Sequence, residues 1–223
     1  MFQKQRLCFI KSVRKKNERF TKNMVFMKND LLNSEFYDKY FEVFDKIPFE
    51  HILTSLILKY LPKANNDILE IGSGAGALAL WMTNLGFKVK CVEPSEKSAE
   101  KALSRGLDVC VARFQDYSIS KKFDGIIAIS SLIHIPRSEI PLQIKRISQL
   151  LKKEGIFIVS FVEGDCDVRE DPTGKGKMRF FSKFTQNELN ALVTTSFSII
   201  EKHTIEVKKM NQSFFLMVLK AKF

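Results

Sequence analysis

The stretch Asp67-Ile68-Leu69-Glu70-Ile71-Gly72-Ser73-Gly74-Ala75-Gly76 constrains this chain more than any other. A short apolar run ends in an acidic residue, glycine then falls at every second position, and the apolar run Ala77, Leu78, Ala79, Leu80, Trp81 and Met82 begins at once. This is the pattern of a strand, a tight turn and a helix. Glycines at such spacing serve where a backbone bends sharply and something comes close to it, because a Cβ would obstruct both. The helix that follows points its free N–H groups at whatever occupies the turn. The combination suits an adenosine-type ligand.

Strands and helices are expected to alternate beyond it. Strands are read at Ile68–Ile71, Val89–Val92, Val109–Ala112, Phe123–Ile129 and Ile156–Phe161, with helices over Ala75–Leu85, from Ser95 to a stop at Gly106, and over Arg137–Lys152. Ser95 reads as an N-cap, and glycines close the helices. Continuous apolar strands suit a parallel sheet covered on both faces, with right-handed crossovers. The C-terminal end departs from this rule. A helix around Gln186–Thr195 leads to Phe197–Val207 and Ser213–Lys220, two strands joined by a short polar link and hence a hairpin. Ahead of the first strand, residues 34–61 read as two helices separated by Pro48, and Glu163–Lys177 reads as a long polar loop.

A length of 223 residues with 45% hydrophobic content fits one domain with a sizeable core, rich in rings because 20 residues are phenylalanine. The net charge of +11 invites a nucleic-acid reading, but residues 1–28 hold +8 of it and leave +3 for the remainder. A basic tail on a near-neutral domain does not make a basic binding face. The expected organisation is therefore a tail over 1–28, read as a disordered arm, an organelle-targeting peptide or upstream sequence with Met24 or Met27 as the true start, and one domain over 29–223. Cys8, Cys91, Cys110 and Cys166 are widely spaced, as are His51, His134 and His203, so no metal site is indicated and a reducing cytoplasm is the default compartment. No apolar run approaches the ~18–20 residues of a membrane span.

The glycine turn alone is ambiguous. Gly72 to Ala77 also fits G-x-G-x-x-A, and Glu93 stands about where a nicotinamide enzyme keeps its ribose carboxylate, ~20 residues on. Three features weigh against that. Glu70 just before the first glycine would repel a diphosphate and attract a cation; the chain carries a single nucleotide-binding half; and it ends in an antiparallel hairpin.

Glu70-x-Gly72-x-Gly74-x-Gly76, Glu93-Pro94-Ser95, the segment Ser130-Ser131-Leu132-Ile133-His134 and the closing hairpin together resemble the class I S-adenosylmethionine-dependent methyltransferases, in particular the small bacterial type acting on small molecules. The likeness covers residues 34–223. It implies an α/β fold: a doubly wound seven-stranded sheet of order 3-2-1-4-5-7-6, mostly parallel with a C-terminal antiparallel hairpin, helices on both faces, and 34–61 as N-terminal cap helices. It also implies S-adenosyl-L-methionine as cofactor, a small-molecule acceptor, and a monomer or homodimer. By the same resemblance Gly72, Ser73, Gly74 and Gly76 would form the turn under the methionine and ribose, with Glu70 near the ammonium end. Glu93 would accept both ribose hydroxyls, Pro94 would lie against the adenine, Phe114 and Gln115 would flank it, Ser130 would line the sulfonium side and Tyr37 would close over the cofactor. Arg113 stands where the family often has an aspartate for the adenine amino group, and a guanidinium cannot accept that bond.

Methyl transfer from a sulfonium asks mostly for alignment and a dry site. His134 is the candidate base, just past the fourth strand and with an ordinary pKa near neutrality; a packed histidine capping a neighbouring carbonyl is its alternative. The run Ser130-Ser131-Leu132-Ile133 lacks the Asn/Asp-Pro-Pro-aromatic pattern of base-amine methylation, which disfavours nucleic acid. Arg169, Lys175, Lys177 and Arg179 either face an anionic acceptor or merely solvate a loop. The competing readings are a non-catalytic binding module, a nicotinamide oxidoreductase and an RNA methyltransferase guided by the tail.

Overall fold

The computed structural model describes residues 37–38, 45–61, 66–171 and 178–222. The expected tail, the rest of the first expected helix, Lys175 and Lys177 lie outside them. Tyr37 and Asp38 are helical, and α1 (Glu50–Tyr60) follows. From there the elements run β1 (Asp67–Ile71), α2 (Ala77–Asn84), β2 (Lys88–Glu93), α3 (Glu96–Ser104), β3 (Asp108–Val111), β4 (Phe123–Ala128), α4 (Ile140–Leu150) and β5 (Leu151–Glu163). The chain ends with β6 (Asp167–Glu170), β7 (Arg179–Phe184), α5 (Gln186–Thr194), β8 (Phe197–Val207) and β9 (Gln212–Ala221).

The first five strands lie parallel in the order β3-β2-β1-β4-β5. β9 runs antiparallel against β5 and carries β8 on its outer side. The main sheet is thus β3-β2-β1-β4-β5-β9-β8, the expected order of seven. Two further strands pair antiparallel: β6, inside the expected polar loop Glu163–Lys177, and β7, just after it. They exist because β5 is unusually long: it runs past its last pair with β4, Ala128–Val159, and its end, Val162 and Glu163, pairs in parallel with Lys183 and Phe184 of β7. Phe180, Phe181 and Phe184 bury themselves there.

Local chemistry accounts for the element ends. α2 begins two residues later than expected, because Gly76 takes a left-handed φ of 83° as N-cap. Ser95 caps α3 by accepting from the Ser98 N–H, and Thr185 with Glu188 closes a reciprocal capping box on α5. The core is aromatic: Phe123, Phe157, Phe161, Phe181, Phe197 and Phe215 are almost fully buried. Trp81 is half-buried on α2, against the second apolar layer under α1. Among the described residues no helix is long and apolar enough to cross a membrane.

Candidate functional site

The carboxyl ends of β1, β2 and β4 converge on the glycine turn, the crevice where open α/β sheets bind ligands. Gly72, Gly74 and Gly76 all have positive φ, but for different reasons. A Cβ at Gly72 would stand 2.4 Å from the Ser131 Cβ, and one at Gly76 would stand 2.4 Å from Leu107 Cδ1 and 3.0 Å from Ala102 Cβ. Those two are glycines so that the turn can pack on its neighbours. Gly74, among the described residues, has nothing within 4 Å of its Cβ position. It presents bare backbone to open space, and a ligand can lie there.

Glu93 closes β2 and holds that glycine. Its Oε2 accepts from the Gly74 N–H at 2.8 Å and its Oε1 from the Ser95 N–H at 2.8 Å. Each oxygen keeps a second lone pair for a hydroxyl donor. Burial pushes Glu93 up to about 7, against the pull of the two N–H groups. Glu70 lies at the amino end of α2 with the Ala79 N–H as a partner, while its Oε2 is buried with no hydrogen bond among the described residues. Burial first, then the charge of Glu93, pushes Glu70 up to about 8. Both carboxyls are held above the usual carboxylate range, and a cation or hydroxyl donors beside them would favour their ionised forms. The ribose and ammonium groups of an adenosyl amino acid fit such a site, whereas a diphosphate would meet two acids.

Around this centre the expected residues separate. Ser73 is buried beside Cys91. Pro94 carries the chain from Glu93 to the Ser95 cap, whose hydroxyl donates to Asp38 Oδ1 at 2.6 Å. The Lys97 N–H also donates to Asp38, so the segment ahead of α1 is fastened over the start of α3. Asp45 forms a fork with Arg105, which reaches the Ala75 carbonyl at 2.8 Å. Ser130 holds a φ of 52°, strained for a non-glycine residue, and its N–H donates to the buried Ser160 hydroxyl at 2.8 Å. The Phe114 ring is sunk in the core with the Arg146 guanidinium 4.6 Å from its centre, so that face is covered. Arg146 also donates to the carbonyls of Phe114 and Gln115, leaving Gln115 as the half-exposed side chain of the pair. Arg113 pairs with Asp116 at 2.7 Å, and its charge is balanced locally.

Tyr37 and His134, far apart in sequence, meet: the Tyr37 hydroxyl lies 2.9 Å from His134 Nε2. His134 Nδ1 lies 2.8 Å from the Phe180 carbonyl. A carbonyl only accepts, so Nδ1 carries the proton and Nε2 takes the tyrosine's. Burial pulls His134 down to about 4, and Arg179 adds to the effect. Arg179 donates to the Tyr37 oxygen at 3.2 Å. Far from being a loop residue, it is 2% exposed on β7, whereas Arg169 on β6 is exposed. Sequence reasoning passed over Arg146, Asp38 and the Asp45–Arg105 pair. None carries a motif; only Asp38, beside Tyr37, had a positional clue. Among the described residues no three His, Cys, Asp or Glu side chains are placed to hold a metal ion.

Comparison with known proteins agrees with this geometry. Residues 46–196 match the family model described as a methyltransferase domain. An uncharacterised methyltransferase of Bacillus mycoides strain KBAB4 is 25% identical over 190 residues, spanning 82% of this chain and 87% of that protein. A ubiquinone biosynthesis O-methyltransferase of Pelagibacter ubique is 33% identical over 105 residues, 44% of this chain and 43% of its own. The crystal structure of Burkholderia thailandensis 1,6-didemethyltoxoflavin-N1-methyltransferase, with its acceptor and S-adenosylhomocysteine bound, superposes with a TM-score of 0.69 at 16% identity, covering 93% of both chains. With two-thirds of its length inside the family model, this chain belongs to the methyltransferase domain family and has the fold of the class I S-adenosylmethionine-dependent group.

Proposed function

We propose that this methyltransferase moves a methyl group from S-adenosylmethionine to an oxygen, nitrogen or sulfur of a small molecule. The observation that carries the reading is the open backbone at Gly74, tied to Glu93 and flanked by the buried acid Glu70. In this reading Glu93 accepts the ribose hydroxyls and Glu70 faces the ammonium end. Gly72, Ser73 and Gly76 shape the turn, Pro94, Phe114 and Gln115 border the adenine, and Ser130 lines the sulfonium side. When bound, the cofactor supplies a methyl group already activated for displacement.

The chain's own residues then orient the acceptor and manage its proton. Tyr37 covers the site, and its hydroxyl stands on His134 Nε2. A proton leaving the acceptor would pass to the Tyr37 oxygen while the tyrosine's own proton moves to His134, the catalytic base of this reading. A base held as low as His134 suits an acceptor that gives up its proton easily or has none to lose. The 1,6-didemethyltoxoflavin bound by the Burkholderia enzyme, and the ubiquinone biosynthesis for which the Pelagibacter O-methyltransferase is named, support a small molecule over nucleic acid.

Calorimetry with S-adenosylhomocysteine on wild type and Glu93→Ala tests the reading. Micromolar binding that the substitution abolishes is expected; a wild type that ignores this ligand and takes NADH would sink it. Incubation with S-adenosylmethionine and panels of phenols, amines, thiols and RNA, followed for released S-adenosylhomocysteine, then sorts the acceptor class and separates turnover from mere binding.

A further inference from the structure

The extra hairpin does more than fill space beside β5. Its strand β7 delivers two groups to the acceptor end of the site: the Phe180 carbonyl on His134 Nδ1 and the Arg179 guanidinium on the Tyr37 oxygen. The strand is fastened to the turn that carries His134. Ser182 donates to the Ile135 carbonyl, and Arg137 donates to the Lys183 carbonyl at 2.7 Å. Arg179 is held in turn by ring contacts. Its guanidinium lies 5.0 Å from the centre of Phe181, and that ring is 5.2 Å from His134. Tyr37 meets His134 edge to face at 5.7 Å.

The donor inventory gives this chain of bonds one direction. Arginine only donates, so the Tyr37 oxygen turns a lone pair to it. Tyrosine has a single hydroxyl proton, and the neutral His134 ring offers it the Nε2 lone pair, because Nδ1–H is committed to Phe180. We propose that Arg179 is a positioning residue: it holds the Tyr37 hydroxyl with its one proton aimed at His134, and so fixes the path by which an acceptor proton is removed. The step balances. The acceptor's X–H bond breaks and X keeps the electron pair that will take the methyl group; the proton joins the Tyr37 oxygen as the tyrosine's proton moves to Nε2. The proposal rests on the reading of Tyr37 and His134 as the acceptor side of a methyltransferase site.

The test uses the full-length protein, whose three histidines make imidazole nitrogen–proton correlation spectra simple to assign. The charges that bear on the pair are Arg179 for His134, and Arg179 and Glu93 for Tyr37. In wild type His134 is expected to hold its proton on Nδ1 and to stay neutral down to below about pH 5. Arg179→Met should leave that proton in place, shift the Nε2 resonance, and raise the titration midpoints of His134 and Tyr37 by about half a pH unit or more. Arg179→Lys, which keeps a charge and a donor, should stay close to wild type, and Tyr37→Phe should remove most of the effect of Arg179→Met on Nε2. If Arg179→Met does not fold, Arg179→Gln takes its place, with the same shifts expected. A merely structural arginine would lower the melting temperature and leave these signals where they were, and that result overturns the proposal. S-adenosylhomocysteine affinity should change less than two-fold in the Arg179 variants. A wild type that fails to bind it would refute the methyltransferase site while the His134 signals still decide the role of Arg179.

Discussion

Gly74 and Gly72 share a motif and a positive φ, yet they should respond differently to a methyl group. Gly74→Ala meets no neighbour among the described residues, so it should cost only the backbone strain, about 1 kcal/mol, while cutting S-adenosylhomocysteine affinity at least ten-fold (on the order of 1.4 kcal/mol) because the new Cβ would enter the space proposed for the ligand. Gly72→Ala must displace Ser131 and should lose more stability, about 1–3 kcal/mol beyond the strain. Thermal melts beside calorimetry separate the two. Glu70 presents the opposite trade. Its folded pKa lies above the ordinary carboxylate value, so the folded protein binds the extra proton, and stability falls as pH rises from about 4.3 to about 8. Glu93 adds a loss over the same window, ending near 7. The melting temperature of the ligand-free protein should therefore drop between pH 5 and pH 8. Glu70→Gln should flatten that drop and stabilise the free protein at pH 8 by about 1–3 kcal/mol, while weakening binding of the amino-acid end of the cofactor.

At the scale of elements, the β6–β7 hairpin is the part that a reader of the sequence would leave as loop. The polar run after β5 is loop-like in composition, and nothing local announces that β5 will continue to Glu163 and offer an edge. Pairing with that edge is a long-range event. Arg137 fastens the hairpin by bonding the Lys183 carbonyl and Glu188 and by lying 4.7 Å from the centre of the Phe184 ring. Arg137→Ala should cost about 1–3 kcal/mol. It should also speed amide exchange across residues 179–184 before it does so in β1 or β4, and a uniform change in exchange would contradict that. Thr185→Ala, which removes only the cap of α5, should cost about 1 kcal/mol and leave ligand affinity alone. The strands and helices carried by strong apolar periodicity, β1 to β5 and β8–β9, were legible to within a few residues. The larger boundary shifts fall at Gly76, at α4, which begins at Ile140 instead of Arg137, and at β5, which begins straight after α4 at Leu151.

For the whole molecule, ligand binding and folding should be linked through the same two carboxyls. A cationic ligand with hydroxyl donors draws Glu70 and Glu93 into their ionised forms, so binding releases protons. Affinity should thus rise with pH from about 6 to about 8 and then level off, and calorimetry in buffers of different ionisation enthalpy should register the release. At a hundred-fold excess over Kd the ligand should add about 2.7 kcal/mol to stability, raising the melting temperature by roughly 5–10 °C. The linear chain by itself determined the order of elements, the glycine turn after β1 and the carboxylates at Glu70 and Glu93, because each depends on residues close together in sequence or on a repeating apolar period. Only the folded arrangement decided that Gly74 alone of the three faces open space among the described residues, that Tyr37 and His134 are hydrogen-bonded, and that Arg179 leaves its expected loop to reach the Tyr37 oxygen. Those outcomes depend on which strand edges and rings meet across long separations, and contacts of that kind leave no local trace in the order of amino acids.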